Sequence, residues 1–286
     1  MAAKHTLFVV PGTWEAVAAA DGNSGGVTPS AEIGMLRGVT DLLNRTVFDV
    51  VYVNYPASFG PIPGGGERVL AALGDPSYRK SRDMGIAEVI RLINAHQGTF
   101  GLLGYSQGGA VVSLVGRELV SGALRDRQRD CLWLHAVASP HRGLGRTFPL
   151  GNRLAGQGIS GDDITATGIV DWFDFCLPGD IYGDADLAHT YLQLGYELAT
   201  ELTLSDPVAM VAGIAESLVH GQLRQAILDL GEDPLTMLSK TATTAAVLAQ
   251  FLHDDPHVRY GTRDIIPGST ALAYSAGYLN FWGPRR

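Results

Sequence analysis

The chain has 286 residues, a formal net charge of −8, and 46% hydrophobic against 17% charged residues. This balance excludes intrinsic disorder and supplies a sizeable core, and the length is within reach of one α/β domain with insertions. The 29 acidic residues outnumber 21 Lys and Arg, with no long basic run, which argues against nucleic acid as a partner, because neutralising phosphates takes clustered cations.

Residues 6–10 (TLFVV) read as a buried strand that Pro11-Gly12 ends. The run is too short for a signal-peptide core, and nothing approaches the roughly 18 apolar residues of a membrane span. A soluble protein with no export signal of its own is therefore expected. A Gly-rich loop follows at 21–29, and Thr28-Pro29 opens a helix to about Leu43. Residues 48–54 (FDVVYVN) read as the second strand, followed by a Pro/Gly-rich loop at 56–66. Ser81 is expected to cap a helix carrying Met84, Ile86, Val89, Ile90 and Ile93. A strand at 99–105 (TFGLLGY), a helix at 107–121, and strands at 131–138 (CLWLHAVA) and 169–176 (IVDWFDFC) complete a mostly parallel sheet.

From Leu187 to Leu252 the pattern turns helical, broken at Ser205-Asp206-Pro207 and Gly231-Glu232-Asp233-Pro234, and no further strand is read before the C-terminus. This segment is either a separate helical domain or an insertion over one edge of the core. Cys131 opens one strand and Cys176 closes its neighbour, so about 20 Å of strand separates them and free thiols are expected. The sequence carries no HExxH, no CxxC, no calcium-loop spacing and no phosphate loop, so neither metal nor cofactor is expected.

The sharpest signal is GYSQG at 104–108, between an apolar strand and an apolar helix. A serine on such a strand-to-helix turn is held with its hydroxyl exposed at the sheet edge, beside a helix N-terminus that favours developing negative charge. GNSGG at 22–26 also matches the pattern and Tyr274-Ser275-Ala276-Gly277 nearly does, but neither is read with that strand-and-helix setting. Ser106 is the candidate nucleophile.

A serine attacks only with a base to take its proton, and in this fold class the order is Ser, acid, His, on loops at strand ends. Asp180, in LPGDIYGD beyond the 169–176 strand, is the candidate acid, although it could instead cap the segment starting near Tyr182. Asp171 and Asp174 fall within the strand, and Asp184 and Asp186 lie farther out. Four histidines follow: His189 and His220 inside helical patterns, and His253 and His257 in FLHDDPHVRYG. Pro256 is expected to start an extended stretch, which puts His257 on the loop as the preferred base, with His253 ending the preceding helix as its alternative. The oxyanion donors are the N–H of Gln107 and, where Gly12 turns the first loop inward, that of Thr13 or Trp14, with Thr13 assigned.

Together, VVPGTW, NYPASFGP at 54–61, GYSQGG, SPHRG at 139–143, PGDIYGD and DPHVRYG occur in an order that resembles lysin B, a family of phage-encoded serine esterases related to cutinases. The resemblance runs from about residue 5 to 261. It implies a cutinase-like α/β-hydrolase core (1–186 and 253–286), a helical linker or lid insertion (187–252), and catalysis by Ser106, Asp180 and His257 without a cofactor. The implied substrate is the ester joining mycolic acids to arabinogalactan, with no nucleic-acid partner and no stable membrane insertion. The protein would be made in the host cytoplasm and would act at the envelope after release during lysis. An additional wall-binding module and the cutinase-type disulfides are not expected. A cutinase-like lipase acting on ordinary lipid esters is the alternative enzyme, and an envelope-binding virion protein on a hydrolase scaffold the non-enzyme one. The apolar runs of 187–252 are expected either to wall a groove for the acyl chain or simply to pack on one another.

Overall fold

The apolar run near the N-terminus becomes the interior of a sheet because both of its faces are covered. In the computed structural model, which describes residues 4–15, 34–58, 76–146, 148, 154–162, 164, 171–201, 214, 216–218 and 221–286, β1 (His5–Val10) is buried at every position. It pairs with β2 (Phe48–Tyr52) on one side and β3 (Phe100–Tyr105) on the other, and β4 (Cys131–Val137) and β5 (Asp171–Phe175) follow. The order is β2-β1-β3-β4-β5 with every pairing parallel, so the sheet is wholly rather than mostly parallel. Strands buried on both faces read as continuous apolar runs, which is why they stand out in the sequence.

Alternate side chains of the strands feed two cores. Phe8, Val10 and Leu102 face α2 (Tyr78–Ala95) and α3 (Gln107–Ser121), with Val89, Val111 and Val115 packed on them. Leu7, Val9 and Leu103 face the opposite way, towards Leu272, Ala276 and Leu279. The chain leaves β1 in one direction across the sheet to β2, then crosses back to β3. The carboxyl ends of β1 and β3 therefore flank the point where strand order reverses, where open α/β sheets form a crevice.

Several expectations are corrected. The helix foreseen from Thr28 appears, within the described residues, only as the turn α1 (Arg37–Thr40), and residues 28–33 and the GNSGG loop lie outside them. Ser77, not Ser81, caps α2. Ser81 sits one turn inside the helix and is buried, because it accepts a hydrogen bond from Ser58 N–H (3.0 Å) and donates one to Gln107 Oε1 (3.0 Å). A further pair of strands does occur near the C-terminus, β6 (Asp264–Ile266) with β7 (Ser269–Thr270), before α7 (Ala271–Trp282), which Thr270 caps. Strands this short carry no period that a sequence pattern could reveal.

The helical segment contributes α4 (Leu192–Glu201), α5 (Gln222–Asp229) and α6 (Pro234–Asp254). The break at 231–234 is as foreseen, with Asp233 accepting from the N–H groups of Leu235 and Thr236 and Pro234 opening α6. The break at 205–207 lies outside the described residues. Leu192, Tyr196, Leu223, Ile227, Leu248 and Phe251 are buried in a third core with Ile181 and Tyr182. Much of the apolar material in 187–252 thus packs on itself, while Leu228, Leu230, Leu235, Leu238 and Leu252 remain exposed. No described helix is long and apolar enough to cross a membrane.

Cys131 and Cys176 are free and buried. Trp133 opposes Asp171 and Val137 opposes Phe175, so the two thiols lie towards opposite ends of a parallel pair. Burial pushes both thiols up, out of the range in which the reactive thiolate forms. Titration with a disulfide reagent should therefore find both thiols after denaturation without reductant, and neither within the mixing time in the native protein.

Candidate active site

Three loop ends meet at the crevice. Ser106 stands between β3 and α3 with φ 54° and ψ −115°, a left-handed conformation that a residue with a Cβ adopts at a cost of about 1–3 kcal/mol. Its own N–H donates to Val137 O (2.9 Å) on β4, and its carbonyl accepts from Ala110 N–H (2.9 Å). The flanking glycines are sterically required: a Cβ at Gly104 would lie 2.2 Å from Gly108 O, and one at Gly108 would lie 2.1 Å from Val10 O. The near match at 274–277 is different, because Ser275 lies within α7 with its hydroxyl buried against His135 Nδ1 (2.8 Å).

His257 lies in a short 3-10 turn (Pro256–Val258) rather than the extended stretch foreseen. Asp255 takes a left-handed conformation (φ 45°, ψ 49°), which ends α6 and also keeps the residue before proline out of the right-handed helical region. The imidazole is buried between Tyr105 (centroids 5.4 Å apart) and Tyr182 (4.3 Å), and Tyr105 Oη donates to His257 O (2.8 Å). Its Nε2 is 2.9 Å from Ser106 Oγ, and its Nδ1 is 3.1 and 3.0 Å from the two carboxylate oxygens of Asp180. An ionised Asp180 can only accept a hydrogen bond, so Nδ1–H donates to it and Nε2 is left as the acceptor for the serine hydroxyl.

Asp180 is fully buried on the turn after β5. It accepts from Tyr182 N–H (3.1 Å) and from Tyr260 Oη (2.6 Å), so its turn-capping and histidine-facing roles coexist. Tyr260 Oη in turn accepts from Leu177 N–H (3.1 Å). Burial, reinforced by the Asp180 charge, pushes the Tyr260 phenol well above its ordinary value and keeps it a proton donor. Arg142, in the SPHRG segment, is buried and donates to the carbonyls of Gly183 (2.5 Å), Arg146 (2.6 Å) and Gly156, which braces the turn carrying Asp180.

The other candidates lie elsewhere. His253 is exposed in the last turn of α6, and His189 is exposed and pairs with Asp186. Asp171 pairs with Arg286 (2.7 Å), Asp174 lies 3.5 Å from Arg146, and Asp184 neighbours Arg142. His220 lies outside the described residues.

Gln107 opens α3, so its N–H is one of the first-turn donors without an intrahelical acceptor. Its side chain ties Ser81 to Ser58 O (3.0 Å) and is fully buried. In the loop after β1, Pro11 O accepts from Tyr55 Oη (2.5 Å), Gly12 N–H donates to Glu15 Oε2 (2.8 Å), and Glu15 N–H donates to Gly12 O (3.1 Å). The Trp14 N–H donates to Ala57 O (2.7 Å), which removes it as the alternative to Thr13. Among the described residues, the Thr13 N–H has no hydrogen-bond partner.

The solved structure of lysin B from mycobacteriophage D29 superposes on 99% of this chain and 100% of its own, with a TM-score of 0.54 and 19% identity. The chain has the α/β-hydrolase fold. A cutinase-like protein from Cryptococcus sp. is similar over 68% of this chain and 87% of that one (TM-score 0.46, 18% identity). An acetyl xylan esterase is similar over 76% and 99% (TM-score 0.47, 18% identity). No protein-family model and no curated protein sequence matches. At these identities the likeness bears on the fold, and within the α/β-hydrolase fold the chemistry rests on the side chains themselves.

Residues 104–108, Asp180 and His257 were legible in the sequence, whereas the Tyr105, Tyr182, Tyr260 and Arg142 contacts were not assigned roles. All four fall within the segments that carry the resemblance, GYSQGG, PGDIYGD, DPHVRYG and SPHRG, and that position is the signal the sequence offers for them. Replacing Tyr260 with Phe removes a donor to a buried carboxylate and orphans Leu177 N–H. Urea unfolding at pH 8 should show a loss of about 1.5–3 kcal/mol, the usual worth of a hydrogen bond to a charged group, and a loss below about 0.5 kcal/mol would contradict this account of Asp180.

Proposed function

We propose that this protein is a serine esterase acting on lipid esters, with Ser106 as nucleophile, His257 as general base and Asp180 as the acid that orients it. The observation that carries the reading is the 2.9 Å approach of Ser106 Oγ to His257 Nε2, with the other ring nitrogen on a fully buried carboxylate. Ser106 Oγ attacks the ester carbonyl as its proton passes to His257 Nε2. The N–H groups of Gln107 and Thr13 receive the oxyanion, with the α3 N-terminus adding its dipole. Collapse expels the alcohol, which takes the proton from His257, and leaves the acyl group on Ser106. Water then attacks the acyl-enzyme, giving its proton to His257. Release of the acid restores the Ser106 hydroxyl.

The finer assignment is the mycolic acid–arabinogalactan ester, with release of the protein to the cell envelope during phage lysis. It is supported by the ordered set of segments that resembles lysin B. The helical segment between Asp180 and His257 in the chain serves as the access element for a long acyl chain. Phe251 of α6 and Tyr182 share its core and adjoin the His257 ring, which couples this layer to the base. The partner in this reading is mycolyl-arabinogalactan or another lipid ester as substrate, and the Ser-His-Asp chemistry calls for no cofactor.

Ser106→Ala should lower kcat for p-nitrophenyl butyrate on the order of 10⁴–10⁶-fold with the fold intact by circular dichroism, and His257→Ala should be as damaging, because members of one catalytic unit are not additive. Activity above a tenth of wild type in Ser106→Ala would overturn the esterase reading. Release of free mycolic acid from purified mycolyl-arabinogalactan separates the two lipid-ester readings: wild type alone should release it. Cleavage of p-nitrophenyl esters without that release would leave ordinary lipid esters as the substrate.

A further inference from the structure

The loop that offers the Thr13 N–H is held from beneath by a buried carboxylate that the mechanism above does not use. Glu15 is 8% exposed. Its Oε2 accepts from Gly12 N–H (2.8 Å) and its Oε1 from Met35 N–H (2.8 Å), while its own N–H closes the turn onto Gly12 O (3.1 Å). The Gly12 peptide is clamped between this carboxylate and the Tyr105 ring, since a Cβ at Gly12 would sit 2.7 Å from Tyr105 Cδ1 and 3.2 Å from Glu15 Oε2. Tyr105 is the same ring that lies against His257 and donates to its carbonyl.

We propose that Glu15 is a positioning residue for ester hydrolysis: its ionised carboxylate, by accepting the N–H groups of Gly12 and Met35, fixes the Pro11–Gly12 peptide and with it the turn in which Glu15 N–H holds Gly12 O, so that the Thr13 N–H on that same Gly12–Thr13 peptide points at the developing oxyanion. The proposal rests on the esterase reading and deepens it. The geometry requires two acceptors, one for each backbone donor. A protonated carboxyl keeps only one full acceptor and directs an O–H where an N–H already points, and a carboxamide has the same defect. An oxyanion donor is effective only when it is fixed before the reaction, so a loosened Gly12–Glu15 turn affects the transition state more than substrate binding.

The titratable groups facing Glu15 come from three elements: Tyr55 after β2, Tyr105 at the end of β3, and His257 after α6. The two tyrosines are buried and neutral, so their phenols do not offset the carboxylate charge. Burial outweighs the two N–H bonds and the nearby His257, and pushes the Glu15 carboxyl up to about 7. Its ionised form is therefore lost as pH falls through about 7, in the range where activity is normally measured.

The test is the pH dependence of p-nitrophenyl butyrate hydrolysis between pH 5 and 9, for wild type, Glu15→Gln and Ser106→Ala. Two protons should be taken up along the acid limb of wild-type kcat/KM, one of them by Glu15, so the slope of its logarithm approaches two, and Glu15→Gln should reduce that slope to one. At pH 8, Glu15→Gln should lower kcat about 10²–10³-fold, the usual effect of losing one oxyanion donor, with KM within about threefold of wild type. A purely structural role for Glu15 would lower stability without removing an ionisation. If Glu15→Gln keeps more than a third of wild-type kcat with an unchanged limb, Glu15 does not position the donor. If Glu15→Gln fails to fold, the wild-type limb decides: a slope of two supports the proposal and a slope of one overturns it. Loss of activity in Ser106→Ala together with an unaffected Glu15→Gln sinks this proposal alone, whereas an active Ser106→Ala sinks the esterase reading beneath it.

Discussion

A residue with a Cβ held at positive φ between a buried strand and a buried helix is unstable unless everything around it fits, and Ser106 is such a residue. Its conformation turns the chain from β3 into α3 within one residue, and this lifts the hydroxyl out of the sheet while aiming the helix N-terminus at it. Gly104 and Gly108 are needed because α3 then passes within contact distance of β3 and of the end of β1. The β4 carbonyl of Val137, accepting from Ser106 N–H, ties the elbow to the neighbouring strand. Packing of α3 in the sheet's first core offsets the local cost.

Around that elbow the buried polar groups form chains in which each bond fixes the next. Leu177 N–H donates to Tyr260, Tyr260 to Asp180, and Asp180 accepts from the His257 ring, whose Nε2 meets Ser106. A carboxylate at zero exposure would be very costly alone, and these donors are what make it tolerable. A second chain, Ser58–Ser81–Gln107, anchors the loop after β2 to α2 and to the first residue of α3. Glu15 performs the corresponding task under the loop after β1. The loops after β1, β2 and β5 are therefore each pinned by buried side-chain hydrogen bonds. Such support holds a site rigid to within fractions of an ångström.

Among the described residues, the helical layer meets this network at Tyr182 and Phe251. Its core contains Tyr182, whose ring lies tilted against His257, and Phe251, one turn before the His257 turn. The segment thus begins after Asp180 and ends at His257, with Phe251 of α6 against the histidine ring. Tyr191, Glu232 and Lys240 bind the start of α4 to the entrance of α6, with Tyr191 Oη and Lys240 Nζ both donating to Glu232.

The sequence by itself determined the order of the five sheet strands, a largely parallel sheet, and Ser106, Asp180 and His257 as the residues that meet at the crevice. Strands buried on both faces give unbroken apolar runs, and GYSQG, PGDIYGD and DPHVRYG each sit at a boundary where the pattern changes period. It determined much less where the deciding contact was distant in the chain. Ser81 looks like a cap locally, and only its partners at Ser58 and Gln107 make it a buried cross-link. Pro256 reads as an extended start, yet the left-handed Asp255 lets a tight turn follow. The short β6–β7 pair has too few residues to display a period. Nothing in the sequence singles out Glu15, and its buried setting exists because Met35 and Tyr105, farther along the chain, lie against the turn that carries it. Periodicity and turn chemistry are local, so they can be read in sequence. Burial of a polar group and the choice of its partner are properties of the assembled fold, so tertiary structure alone decided them.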